Sequence, residues 1–278
     1  MRKMKIVADS SANLLALSRV PFASAPMKVI TGEREFVDDA ALNVEGMVAY
    51  FDTYKERSWT SCPNPGDWLD AFADADDIFC VTITSGLSGS YNAACAAKEM
   101  LKAEAQDKRV FVIDSLSAGP ELQLIIEQLE NWICQGYSYE EICLKITEYT
   151  RKTGLVFMLE SLKNFAANGR VSPAVAKLAG LLGIRIVGKA SAQGTLEPVD
   201  KCRGETRSLD AILRHLREMG LATGKVRIAH CRNLPAAQRL KALISQHFPQ
   251  VNVEIAACLG LCSYYAEQGG MLVGFEKF

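Results

Sequence analysis

Short apolar runs that end in an acid or a hydroxyl punctuate the first half of the chain. Lys5-Ile6-Val7-Ala8 gives way to Asp9-Ser10-Ser11, and Arg109-Val110-Phe111-Val112-Ile113 to Asp114-Ser115. Between them Ile78-Phe79-Cys80-Val81-Thr82-Ile83 runs into Thr84-Ser85-Gly86-Leu87-Ser88-Gly89-Ser90. Such runs, too short for helices and bounded by turn residues, predict buried strands. A further strand is expected over 25–30, and helical spacing predicts helices over 43–55, 66–73 and 90–105. Pro63 and Pro65 disfavour helix before them, so 60–64 should be an extended loop. Strands alternating with helices predict a parallel sheet with helices on its faces, and Asp9 and Asp114 should converge on one rim beside the 84–90 turn.

The pattern changes near residue 150. Helices are expected over 119–135 and 139–151, a strand over 155–159, and helical stretches over 160–168 and 173–182. Strands over 184–189 and 197–202 flank a hairpin turn at Ala192-Gln193-Gly194. Helix 206–219, strand 225–230, helix 234–247 and strands 251–257 and 271–276 complete the chain. The expected architecture is α/β: an N-terminal parallel-sheet domain with flanking helices (1–150) and a C-terminal α+β domain (151–278).

Composition narrows the class without naming a function. With 49% hydrophobic and 23% charged residues, the chain reads as soluble and globular. Its net charge of −1 offers no basic field for nucleic acid. Nine cysteines, an odd number, are scattered without any C-x-x-C pair, and the histidines (215, 230, 247) are not grouped with them. Reduced, mostly buried thiols are expected, rather than a disulfide framework or a metal site. No stretch approaches the ~20 apolar residues of a membrane span. Met1-Arg2-Lys3-Met4 leads into a strand without a signal-peptide region, so a cytoplasmic protein is expected, with transient membrane-surface contact left open.

The 84–90 turn carries the chemistry. It holds four hydroxyls and two glycines where a strand hands over to a helix, the usual ligand position of open α/β sheets. No lysine follows Gly89 as a P-loop requires, Lys98 lies too far along the helix, and the dinucleotide fingerprint is absent. Gly86-Leu87-Ser88-Gly89-Ser90 offers only half of the G-x-S-x-G of a serine hydrolase, with Ser90 in the second-glycine position, and no histidine is an obvious base. A carboxylate held by neutral hydroxyls and backbone N–H groups fits the composition better. Simple capping of the next helix accounts for one serine but not for Gly86 and Gly89.

The residues also resemble a known family. Ile6-Val7-Ala8-Asp9-Ser10-Ser11-Ala12-Asn13-Leu14 is similar to the opening strand and D-S-[ST]-A-[DN]-L turn of the DegV proteins. Thr60-Ser61-Cys62-Pro63-Asn64-Pro65-Gly66-Asp67 resembles their T-S-Q-P-S-P-G-E. Ser85-Gly86-Leu87-Ser88-Gly89-Ser90-Tyr91 resembles S-G-L-S-G-T-Y, and Val112-Ile113-Asp114-Ser115 the end of the third strand. Asn168-Gly169-Arg170-Val171-Ser172 is similar to G-G-R-I-S, Leu181-Leu182-Gly183-Ile184-Arg185 to L-L-x-I-K, and Lys201-Cys202-Arg203-Gly204 to K-x-R-G.

The resemblance implies a non-catalytic protein that binds a long-chain fatty acid and presents it to a separate fatty acid kinase subunit, with no other cofactor. It implies a head-group site at Thr60, Ser61, Ser85, Gly86, Ser88 and Gly89, and a tunnel lined by apolar stretches such as 178–182. It implies a partner-facing role for Arg203, with Arg170 open to the same reading. One position departs: the family's closing G-x-H-x-G-P-G histidine falls on Tyr265, or on Tyr264 if the register slips by one. A phenol donates one hydrogen bond and carries no cation near neutral pH. Two other classes stay open: a serine-dependent lipid hydrolase or acyltransferase, and a binding module for another lipid or small carboxylic acid.

Overall fold

The computed structural model describes residues 2–172, 175 and 183–278. The expected helix over 173–182, apart from residue 175, and the whole tunnel stretch 178–182 lie outside the described residues. Strands β1 (Met4–Asp9), β2 (Phe22–Ala25), β6 (Asp77–Thr82) and β7 (Arg109–Asp114) form a parallel sheet in the order β2-β1-β6-β7. The strand order reverses at β1, which puts β2 on one side and β6 on the other. A crevice therefore opens beyond the C-terminal ends of β1 and β6, the switch point at which such sheets receive ligands.

A second, antiparallel sheet of β3 (Lys28–Thr31), β4 (Glu35–Val37) and β5 (Ser58–Ser61) has β3 at its centre. The single strand expected over 25–30 is thus two. Pro26 has no N–H to continue a ladder, so the chain leaves the first sheet at Ala25 and enters the second at Lys28. The expected loop over 60–64 is also partly strand, since Thr60 and Ser61 complete β5. Asn64 then caps α2 (Pro65–Phe72), its Oδ1 accepting from the amides of Gly66 and Asp67 at 2.7 and 3.1 Å.

The third sheet runs β10-β9-β8-β13-β11-β12, comprising β8 (Thr153–Leu159), β9 (Ile184–Ala190), β10 (Leu196–Arg203), β11 (Gly224–His230), β12 (Val251–Ala257) and β13 (Met271–Glu276). Only the β11–β12 pair is parallel, which gives the mixed sheet of an α+β arrangement. Among the described residues the other α-helices are α1 (Val44–Thr53), α3 (Ser90–Glu104), α4 (Pro120–Cys134), α5 (Tyr139–Tyr149), α6 (Lys163–Ala167), α7 (Glu205–Glu218), α8 (Leu234–His247) and α9 (Gly260–Ala266). Helix α9 and strand β4 were not anticipated. Helix α9 is only seven residues long, and its start is fixed from far away in sequence: the buried Asp38 carboxylate accepts the amides of Gly260 and Leu261 at 2.7 and 2.9 Å.

Helix α4 joins the two large sheets. Leu122, Ile125, Ile126 and Leu129 pack with Ile6, Ala8, Phe79 and Val81 of the parallel sheet. On its other side α4 lies against β13 and β11. A Cβ at Gly274 would sit 2.5 Å from the Glu121 amide nitrogen, so glycine is what lets helix and strand approach. Glu127 reaches across to β11, accepting from Arg227 Nε and Nη2 at 2.8 Å each and from Lys225 Nζ at 3.0 Å.

Candidate functional site

The ends of β1 and β6 are tied together by one buried carboxylate. Asp9 accepts from the Ser90 hydroxyl at 2.6 Å, from the Ile83 amide at 2.9 Å and from the Ser11 hydroxyl. Burial pushes its carboxyl above the ordinary range, against these bonds. Asp114 at the end of β7 accepts the amides of Ser85 and Leu116, both at 3.1 Å. The two acids converge on one rim beside the 84–90 turn, as their positions after the strands predict. Ser90 therefore serves the fold, while Ser88 accepts the Ser90 amide at 3.3 Å and turns toward a cavity.

That cavity has a volume of about 280 Å³ and is walled mainly by apolar side chains. Residues 155, 157 and 159 of β8 point into it as alternate positions on one face of the strand. Leu196, Leu261 and Leu272 add to the wall. Thr60, Ser61, Cys62, Ser88, Arg170 and Tyr265 form a polar pole of the wall, in which Thr60 meets Tyr265 and Arg170 meets the backbone next to Ser88. There Thr60 Oγ1 and Tyr265 Oη are 2.7 Å apart, and the Tyr265 ring lies 4.6 Å from that of Phe165. Burial raises the Tyr265 phenol above its ordinary value, opposed by the Thr60 hydrogen bond and by Arg170. Arg170 donates from Nε to Leu87 O at 3.2 Å and from Nη1 to Asn168 O at 2.6 Å. The pole thus combines hydroxyls, a phenol and one guanidinium, a set suited to a carboxylate.

Behind it, Tyr264 points the other way. Its hydroxyl is 2.7 Å from Ser58 Oγ and accepts from Asn168 Nδ2 at 3.0 Å, and Asn168 Oδ1 accepts the Thr60 amide at 3.2 Å. Tyr265, not Tyr264, is the residue that faces the cavity.

The hairpin between β9 and β10 closes another side. Gly194 and Thr195 line the cavity, and a Cβ at Gly194 would fall 1.9 Å from Thr84 Oγ1. Gly86 meets the same hairpin, with a Cβ position 2.7 Å from Gln193 O.

Among the residues expected at the head-group site, Thr60, Ser61, Ser88, Gly89 and Tyr265 line the cavity. Ser85 and Gly86 do not: Ser85 is exposed with its amide on Asp114, and Gly86 is a packing position for the hairpin. Arg170 faces the cavity, whereas Arg203 is exposed at the end of the edge strand β10. Sequence reasoning missed the β8 wall, Phe165 and the hairpin tip. The alternating apolar register of β8 was the available signal for the first.

No histidine lines the cavity. His215 pairs with Asp200 at 2.5 Å, His230 Nδ1 accepts the Asn233 amide at 3.2 Å, and His247 Nδ1 lies 2.9 Å from Leu243 O. Two cysteines, 62 and 262, do line it, and burial raises both thiols above their ordinary value. All nine cysteines are free. Among the described residues no three His, Cys, Asp or Glu side chains are grouped to hold a metal ion. No described helix is long and apolar enough to cross a membrane.

Known proteins share this fold. A DegV domain-containing protein of Streptococcus pneumoniae is 42% identical over 276 residues, covering 98% of each chain. A solved DegV family protein from Eubacterium eligens, loaded with heptadecanoic acid, is 42% identical with a TM-score of 0.97, over 99% of this chain and all of that one. The Fatty Acid Kinase (Fak) B3 protein of Streptococcus pneumoniae, loaded with linoleic acid, is 41% identical with the same TM-score and coverage. The sequence pattern of the family described as "Uncharacterised protein, DegV family" matches residues 3–277, and the chain belongs to that family.

Proposed function

We propose that this protein binds a long-chain fatty acid, burying the acyl chain in the cavity and holding the carboxylate at the Thr60–Tyr265 pole. The observation that carries the reading is an apolar cavity ending in a small polar pole at the switch point of the parallel sheet. Apolar burial supplies the affinity, at about 0.8 kcal/mol per methylene, and the pole fixes direction. In this reading residues 1–150 form the unit that carries the carboxylate loops, with Thr60, Ser61, Ser88 and Gly89. Residues 151–278 form the unit that supplies the β8 wall, Arg170 and Tyr265. Arg170 is then a head-group residue, and Arg203 is left as the exposed candidate for partner contact.

The protein acts as a carrier that offers the carboxylate to a separate ATP-dependent kinase in the cytoplasm. Its similarity to the Fak B3 protein supports this role. The three histidines are engaged away from Ser88, which leaves that hydroxyl without an imidazole base and disfavours a hydrolase. Denaturing extraction of the purified protein followed by mass spectrometry should release a long-chain fatty acid. The loaded protein, mixed with a fatty acid kinase subunit and ATP, should yield acyl phosphate. Recovery of a different lipid class would overturn the ligand, and loading without phosphorylation would overturn the carrier role.

A further inference from the structure

Two short helices, α6 and α9, separate the apolar cavity from a second one. Phe165 of α6 and Leu261, Cys262 and Tyr265 of α9 line the first. Asn164 of α6 and Ser263 and Tyr264 of α9 line a cavity of about 400 Å³ behind them, and among the described residues none lines both. Helix α6 is the weaker part of this partition. It has five residues, none of them buried, and Leu162 at its N-cap supplies no side-chain bond. So short a helix does not hold itself, and its place depends on what its first amides are tied to.

Glu267, just beyond α9 on the wall of the second cavity, makes that tie. Its Oε1 accepts the Asn164 amide at 3.2 Å and the Ser161 hydroxyl at 2.9 Å, and Ser161 Oγ accepts the Lys163 amide at 3.1 Å. Burial raises the Glu267 carboxyl, opposed by these bonds and by Lys163. The glutamate stands on a backbone that favours glycine, with φ +53° and ψ 175°. That backbone is pinned from both sides: the Glu267 amide donates to Ser263 O at 3.0 Å, and its carbonyl accepts the Gly270 amide at 3.1 Å. Glycine would relieve the strain, so what calls for glutamate here is the helix start that its carboxylate holds.

From α6 the chain runs on to the polar pole. Asn168 donates to Asn164 O from its amide at 3.2 Å and from Nδ2 at 2.9 Å, and the Arg170 amide donates to Phe165 O at 2.8 Å. We propose that Glu267 is a positioning residue for the head-group pole: through α6 it holds Phe165 against Tyr265 and Arg170 at the carboxylate. This rests on the fatty-acid reading given above.

Two variants, delipidated and reloaded with a fluorescent fatty acid, test it by the rate at which excess octadecanoic acid displaces the probe. Glu267→Gly removes the carboxylate and relieves the backbone strain. It should release the probe about tenfold faster than wild type, the equivalent of one hydrogen bond to a charged oxygen. Its delipidated form should melt no more than about 3 °C below wild type, because α6 buries nothing whose loss would unfold the chain. Glu267→Gln keeps an acceptor oxygen at the helix start and should bring release back to within about twofold of wild type. Release from Glu267→Gly at the wild-type rate, no recovery in Glu267→Gln, or a fall in melting temperature that accompanies faster release each overturns the positioning role while leaving fatty-acid binding intact. Failure of wild type to take up the probe would instead remove the fatty-acid reading, and the positioning role with it.

Discussion

Removing the phenol oxygen of Tyr265 should cost little by itself, and removing the Thr60 hydroxyl as well should cost much more. The two oxygens are 2.7 Å apart and each carries one proton. One proton is spent on the bond between them, so the pair has a single donor left for a carboxylate, whichever residue supplies it. In Tyr265→Phe the Thr60 hydroxyl is free to donate, and in Thr60→Val the phenol is. Each single change loses only the polarisation of one neutral bond by another, about 0.5 kcal/mol or roughly twofold in affinity. The double change removes the donor to a charged oxygen, about 2 kcal/mol or roughly thirtyfold, well beyond the sum of the singles. Phe retains the stack on Phe165, so the wall is kept in all three variants. Competition titration of delipidated protein with a fluorescent fatty acid measures the cycle. A thirtyfold loss from either single variant, or a double loss equal to the sum of two small ones, would refute a shared donor.

Substitutions at three positions probe the remaining features. Glu127→Ala leaves Arg227, whose side chain is 6% exposed, with Asn252 at 2.9 Å and the mostly exposed Glu254 at 3.5 Å, and should cost about 1–3 kcal/mol in urea unfolding; a loss below about 0.5 kcal/mol would contradict a buried pair. Desolvation raises the Glu127 carboxyl, but Arg227 and Lys225 outweigh it and hold the value below ordinary. The pair's contribution is therefore present above the unfolded carboxyl value of about 4.3 and is lost as pH falls through the lower folded one. The stability gap between wild type and Glu127→Gln should be full near pH ~6 and narrow below pH ~4. Tyr265→His should make fatty-acid retention tighten as pH drops through about 6.5 or below, since only the imidazole becomes a cation there; a flat profile like that expected of wild type counts against a head-group position. Gly194→Ala, at φ +72° and against Thr84, should lift the hairpin tip, cost about 1–3 kcal/mol and speed ligand exchange in a transfer assay; unchanged exchange would show that the hairpin is no barrier.

The parallel sheet was readable because β1, β6 and β7 are short apolar runs that end in recognisable turn chemistry. The convergence of Asp9 and Asp114 followed from the same pattern. Pro26 was a visible warning that 25–30 could not be one strand, but which sheet each piece joins depends on partners elsewhere in the chain. Helix α9 has no local cap and takes its N-terminal partner from Asp38, so its seven residues carried little signal of their own. Within the site, hydroxyl-rich loops were legible, while the distinction between Ser88 and Ser85 was not. Residues of one turn do not announce which faces inward, and Asp114 and the hairpin decide it. Arg170 read as a partner contact or as a solvated or structural arginine, because nothing local reveals that Leu87 O and Asn168 O hold it at the cavity.

Helix α4 has a consequence for how the molecule is made. It belongs by sequence to the first half, yet its second side is covered by β11 and β13, which begin 90 and 137 residues after the helix ends at Cys134. A nascent chain halted after α5 would display Glu127 with neither Arg227 nor Lys225 to meet it, and the Gly274 seat for the start of the helix would not yet exist. The first half should therefore reach only a loosened state on emergence and tighten when β11 and β13 arrive. Two separately expressed fragments cut near residue 150 should each be poorly soluble and should recover order only when mixed.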